Sequence, residues 1–140
     1  MSRFLLDTTA LLAHFLDEPE TDQVHRLIED AESEILMCAV SVAEFARRLA
    51  ALGASVAEAR SRALDYAGLC DSIVPVDTAL ATRAFELAAD TPVRVPLVDS
   101  LIAAAAQLSN ATLVHRDPHF REIASLKQLE IGPGQNAPAT

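Results

Sequence analysis

Apolar runs of four to five residues alternate along this chain with longer segments of helical periodicity, and that alternation limits the fold more than any other feature. The runs Arg3–Leu6, Glu34–Cys38, Ser72–Val76 and Ala111–His115 read as strands, with an edge strand near Lys127–Ile131. Between them Thr8–Leu16, Thr21–Ala31, Ser41–Leu52, Ser55–Leu69, Thr78–Ala89 and Ser100–Ser109 read as helices. A further short helix is expected after Pro118, and Gly53 is placed to terminate the third long one. The run Val93–Val98, beside Pro92 and Pro96, reads as loop. Strands separated by helices pair through crossovers, so the expected fold is an α/β sandwich. Its central sheet is mostly parallel, of four to five strands, flanked by helices.

The 140 residues are enough to bury a core, and an apolar share of 51% argues against disorder. Trp is absent, so Leu, Ala, Val and Ile must fill that core. No repeat or linker divides residues 1–131, which are expected to form a single domain; residues 132–140 read as a disordered tail. Asp7 and His14 interrupt the apolar N-terminus, which reads as neither signal peptide nor membrane span. Cys38 and Cys70 are isolated and are expected to be buried free thiols in a reducing cytoplasm.

An acid stands near each handover between strand and helix in LLDTTALL, SVAEFARRL, LVDSLIAAAA and LVHRDPHF: Asp7, Glu44, Asp99 and Asp117. Open parallel sheets form their sites beyond the carboxyl ends of the strands, so this topology can bring these acids to one rim. Converging carboxylates without a thiol or imidazole cluster suit a hard divalent cation. Each acid also has a plainer use. Asp7 and Asp99 can cap the helices they precede, and Asp117 can cap one that opens with Pro118. Ser41 and Glu44 spell a capping box. Asp77, in IVPVDTAL, and Glu58, three residues after Ser55, have the same local contexts. The pattern alone therefore does not separate site acids from caps.

The net charge of −9 excludes a general nucleic-acid coat, which would need a basic surface. Much of the excess lies between Asp17 and Glu34, where acids crowd around a single arginine, Arg26. That stretch reads as a solvated face or a docking surface for a basic partner. A metal-centred enzyme that touches its substrate locally remains compatible with the charge. Arg47, Arg48 and Arg116, with Arg94 and Arg121, flank the acidic segments and can reach phosphates, or can pair with neighbouring acids. His115 and His119 are separated by Asp117-Pro118 and do not share a helical face, so zinc is a poor fit.

In order and spacing, LLDTTALL, SVAEFARRL, LVDSLIAAAA and LVHRDPHF resemble the acidic signatures of PIN-domain nucleases, in particular the VapC toxins of toxin–antitoxin pairs. The resemblance spans residues 3–131 and maps the catalytic and metal-binding acids onto Asp7, Glu44, Asp99 and Asp117, leaving Asp77 and Glu58 as caps. Thr9 matches a small hydroxyl residue often found two places after the first acid. His115 departs from the pattern, which carries Thr or Ser there. The resemblance implies a cytoplasmic endoribonuclease dependent on Mg²⁺ or Mn²⁺, leaving a 5′-phosphate and a 3′-hydroxyl. Its substrate is expected to be a structured RNA such as tRNA or rRNA. It also implies a homodimer neutralised by a VapB-type antitoxin. In this reading Asp7 and Asp99 contact metal directly, Asp117 holds a second ion or orients water, and Glu44 acts through water or as a base. The rivals are a free-standing PIN nuclease of RNA maturation or turnover and a non-catalytic PIN-like binding module.

Overall fold

The computed structural model describes residues 1–132, so the expected tail lies, from residue 133 on, outside the described residues. Five strands form one sheet: β1 (Ser2–Leu6), β2 (Ser33–Cys38), β3 (Ser72–Val74), β4 (Thr112–His115) and β5 (Gln128–Glu130). The order is β3-β2-β1-β4-β5 and every pairing is parallel, as expected for strands joined by helical crossovers. Six α-helices connect them: α1 (Thr8–Phe15), α2 (Thr21–Glu29), α3 (Ala39–Ala51), α4 (Val56–Leu69), α5 (Thr78–Ala89) and α6 (Leu97–Leu108). A 3₁₀ turn, Pro118–Phe120, follows β4. Among the described residues no helix is long and apolar enough to cross a membrane.

Strand side chains alternate between two faces, and the core divides accordingly. Leu5, Leu36, Cys38 and Leu113 pack against α5 and α6. Leu6, Ile35, Met37 and Val114 face the other way, against α1, α3 and α4, where Phe45 and Tyr66 supply the aromatic bulk. The alanines Ala103–Ala106 are all fully buried, which lets α6 lie close to the sheet. Cys38 is buried as expected, whereas Cys70 is only half-buried at the end of α4, and both thiols are free.

Two helix starts lie two or more residues from the sequence expectation, and both differences bear on the site. α3 opens at Ala39, not Ser41, with Cys38 at the capping position and no side-chain cap. Ser41 is buried within the helix, where its hydroxyl accepts from Thr8 Oγ1 at 3.4 Å. Ser41–Glu44 is therefore not a capping box. α6 opens at Leu97 behind Pro96, again with no side-chain cap, so Asp99 lies inside the first turn and caps nothing. Cys38 and Pro96 both hold extended backbone that admits a helix start without a capping side chain. Gly53 takes the expected terminating place after Leu52, at φ +109°.

Candidate metal centre

The strand order reverses direction beside β1: the chain builds β2 and β3 on one side, then crosses to β4 and β5 on the other. Open parallel sheets form their sites beyond the carboxyl ends of the strands at such a reversal, here those of β1 and β4. Asp7 stands there as the residue after β1, tied to β4 by its backbone N–H donating to Val114 O at 3.1 Å. Asp117 lies two residues past the end of β4. α3 leaves the same edge of the sheet and carries Glu44 in its second turn. α6 packs against α3 and presents Asp99 from its first turn.

Asp7 is 2% exposed and is held rigidly. Its Oδ1 accepts from Ala10 N–H at 2.8 Å, which caps α1, and from the Thr9 hydroxyl at 2.7 Å. Thr9 Oγ1 in turn accepts from the backbone N–H of Arg116 at 3.0 Å, so one hydroxyl joins the loops after β1 and β4. This is the role that the small hydroxyl residue two places after Asp7 can perform. Asp117 Oδ1 accepts from His119 N–H at 3.0 Å and caps the 3₁₀ turn.

Asp7 feels the charges of Asp117 and Asp99, and Asp99 those of Asp117 and Glu44. Burial pushes the Asp7 carboxyl up to about 7 against the opposing hydrogen bonds from Thr9 and Ala10, and the charges of Asp117 and Asp99 add to the rise. Burial likewise pushes Asp99 up to about 6, with repulsion from Asp117 and Glu44 adding and His119 opposing. Asp77 is different. It is exposed, and among the described residues its Oδ1 accepts only from Leu80 N–H, at 2.9 Å, capping α5. Glu58 is exposed too, and its N–H donates to Ser55 Oγ at 3.1 Å in the expected cap.

The basic residues divide. Arg47 and Arg48 are exposed on α3, one turn beyond Glu44, and among the described residues neither is ion-paired. Arg116 is committed elsewhere: its guanidinium spans Glu18 and the buried Glu20, anchoring the loop after α1. Arg121 pairs with Glu130. His115 is fully buried against Phe120. Its Nδ1 accepts from Asp117 N–H at 3.1 Å, which leaves the ring proton on Nε2 to donate to Gln128 Oε1 at 2.9 Å. The amide of Gln128 is oriented by donating to Phe120 O and Ile123 O. The imidazole therefore braces the Asp117 loop where a hydroxyl is usual in the resemblance. His119, set aside in the sequence as a partner of His115, comes to the site without it: its ring lies against both Asp99 and Asp117.

The donor set fits a hard divalent cation. It includes carboxylate oxygens, the most buried of which is pushed toward protonation by its burial, with the neighbouring acids adding to the rise. Of the Asp7 oxygens only Oδ1 is engaged in the hydrogen bonds of the described residues, leaving Oδ2 for a ligand.

A model of the PIN domain matches residues 4–126. The chain belongs to the PIN-domain family. No curated protein matches it in sequence. Among solved structures, a chain of the VapBC2 complex of Rickettsia felis, bound to a DNA fragment from its promoter, superposes with a TM-score of 0.74 at 18% identity; the match covers 93% of this PIN domain chain and 99% of that one. The VapBC-1 structure from nontypeable Haemophilus influenzae gives 0.71 at 16% identity, covering 91% and 97%. VapC20 of Mycobacterium tuberculosis, a toxin that cleaves the sarcin–ricin loop, gives 0.63 at 15% identity, covering 79% and 86%. At these identities the likeness speaks for the fold, and the all-parallel sheet with its flanking helices is the PIN arrangement.

A pH dependence follows from the raised carboxyls. The folded protein holds a proton on Asp7 that the unfolded chain releases near its ordinary value of 3.8. In chelator, the stability due to Asp7 is therefore greatest below about pH 4 and falls as pH rises to about 7, then levels. The expected slope is the difference between wild type and Asp7→Asn in urea midpoints measured from pH 4.5 to 8. A wild type whose midpoint runs parallel to that of the variant across this window contradicts it.

Proposed function

We propose that the chain is a divalent-metal-dependent endoribonuclease of the VapC toxin type, cleaving a structured RNA such as tRNA or rRNA. Residues 1–131 form the working unit in this reading. The observation that carries it is the burial of Asp7 just past the end of β1, where the charges of Asp117 and Asp99 reach it, while Asp99 feels Asp117 and Glu44. Two of these acids, Glu44 and Asp99, have no capping role to explain them.

Asp7, Asp99 and Asp117 would hold Mg²⁺ or Mn²⁺, with Glu44 acting through water or as a base. The bound cation supplies charge neutralisation at the scissile phosphate and lowers the pKa of the attacking water. The remaining work belongs to the chain. Thr9 and the Ala10 amide keep the Asp7 carboxylate in one orientation, and the His115 ring and Arg116 backbone fix the loop that carries Asp117. Half-buried Glu44 would act through a water or take a proton from one. Arg47 and Arg48 on α3, with exposed Arg94, are cations available to an approaching phosphate backbone. Scarce aromatics argue against base stacking, so the shape of the RNA would be read in place of an unpaired strand.

The likeness to chains from VapBC complexes supports a cognate VapB-type antitoxin as partner; a homodimeric state and a cytoplasmic setting belong to the same proposal. Phe85 on α5 and Leu97 on α6, exposed at 73% and 74%, offer apolar surface for such assembly. A short reading frame for a small DNA-binding protein beside the gene favours the toxin over a free-standing PIN nuclease. The enzymatic test is cleavage of total RNA by the purified chain. Fragments bearing 5′-phosphates are expected with Mn²⁺ and none with chelator, with activity lost in Asp7→Ala. Cleavage that survives either treatment sinks the mechanism, and a chain inert under all conditions returns the non-catalytic binding module.

A further inference from the structure

We infer that His119 is a nitrogen ligand of this centre and biases it toward Mn²⁺ over Mg²⁺. The inference rests on the metal-centre reading above and adds to it a residue outside the acidic pattern. His119 Nδ1 lies 3.1 Å from Asp117 Oδ1 and 3.3 Å from Asp99 Oδ2. Adjacent donor atoms of an octahedral ion with bonds of about 2.1 Å are separated by about 3.0 Å. The two contacts therefore have the length of ligand–ligand edges around a single cation. Asp99, Asp117 and His119 are also the one group of three among the described residues whose ligand atoms all lie within 4.8 Å of one another.

The local structure prepares the ring for this position. Asp117 caps the 3₁₀ turn by accepting from His119 N–H, and buried Phe120 anchors the next residue, so the His119 backbone is fixed beside the acids. The ring itself is half open to solvent, with a side-chain exposure of 56%, and can turn without repacking the core. A neutral imidazole carrying its proton on Nε2 presents the Nδ1 lone pair to the same point that the two carboxylates address. Imidazole nitrogen is a good ligand for first-row transition ions and a poor one for Mg²⁺, which prefers oxygen and retains its waters. A mixed set of carboxylates and one imidazole therefore discriminates between these ions where carboxylates alone do so weakly.

The competing role for His119 is that of a simple counter-ion to Asp99 and Asp117, and it predicts the opposite sign. A counter-ion excludes the metal, so its removal tightens both Mg²⁺ and Mn²⁺. Removal of a ligand weakens Mn²⁺ and leaves Mg²⁺ almost unchanged. The experiment is calorimetric titration of MnCl₂ and MgCl₂ into the full chain and into His119→Gln, with nitrogen couplings to bound Mn²⁺ recorded by pulsed electron paramagnetic resonance. The expected result is an Mn²⁺ affinity about tenfold weaker in His119→Gln, an Mg²⁺ affinity changed less than about twofold, and a ¹⁴N coupling in wild type that the variant lacks. Equal or tighter Mn²⁺ binding by the variant, or a wild type without the coupling, overturns the assignment while leaving the acidic centre intact. If wild type binds neither ion, the metal-centre reading falls, and this inference falls with it.

Discussion

Asp7→Asn is expected to raise the melting temperature of the chelator-treated protein at pH 8, by on the order of 5–10 °C. Asparagine keeps the side-chain oxygen that accepts from Ala10 N–H and from the Thr9 hydroxyl, so the cap on α1 survives the exchange. What disappears is a carboxylate 2% exposed, raised to about 7 by burial with Asp117 and Asp99 adding to the strain. Keeping that group charged in the folded state costs on the order of a few kcal/mol. The advantage of the variant should shrink at pH 5, where Asp7 is protonated in the folded wild type. Differential scanning calorimetry at the two pH values checks both parts. A variant less stable than wild type at pH 8 would show that Asp7 serves the fold and not a cation.

Asp99→Asn is expected to reduce metal-dependent RNA cleavage by at least about 100-fold, the scale on which loss of a charge-stabilising group slows an enzyme. The substitution is nearly isosteric, and Asp99 caps no helix, so α6 should be undisturbed. The matched control is Asp77→Asn, which preserves the acceptor for Leu80 N–H on α5 and should cleave at the wild-type rate. Initial rates on a defined structured RNA in Mn²⁺ measure the pair. Equal rates for the two variants would remove Asp99 from the chemistry.

The alternation of apolar runs with helical segments carried the fold, because strand and helix periods are local properties of a sequence and crossovers force parallel pairing. Thr78–Ala89 matches α5 to the residue, with Asp77 as the cap that its position suggested. The site was harder to read. Asp7, Asp77, Asp99 and Asp117 look alike locally, since each precedes residues able to start a helix. What separates them is burial and mutual repulsion, and both depend on contacts between segments as far apart in the chain as Asp7 and Asp117. The starts of α3 and α6 illustrate the point. Ser41 is drawn into the core beside Thr8, and Pro96 opens α6 early, so the capping reading of Glu44 and Asp99 fails for tertiary reasons. His119 was set aside for a related cause: it was weighed only against His115, and the turn after Asp117 folds its ring back onto Asp99. Arg116 is the converse case, a cation beside the motif that Glu18 and Glu20 engage from the loop after α1.

The central claim is that Asp7, Glu44, Asp99 and Asp117 form one cation-binding centre and that Asp77 stands outside it. Calorimetric titration of Mn²⁺ into wild type, Asp99→Asn and Asp77→Asn tests it most directly. Saturable binding by wild type and by Asp77→Asn, with heats abolished in Asp99→Asn, is the predicted result. Binding that is unchanged in Asp99→Asn, or absent from the wild type, would contradict it.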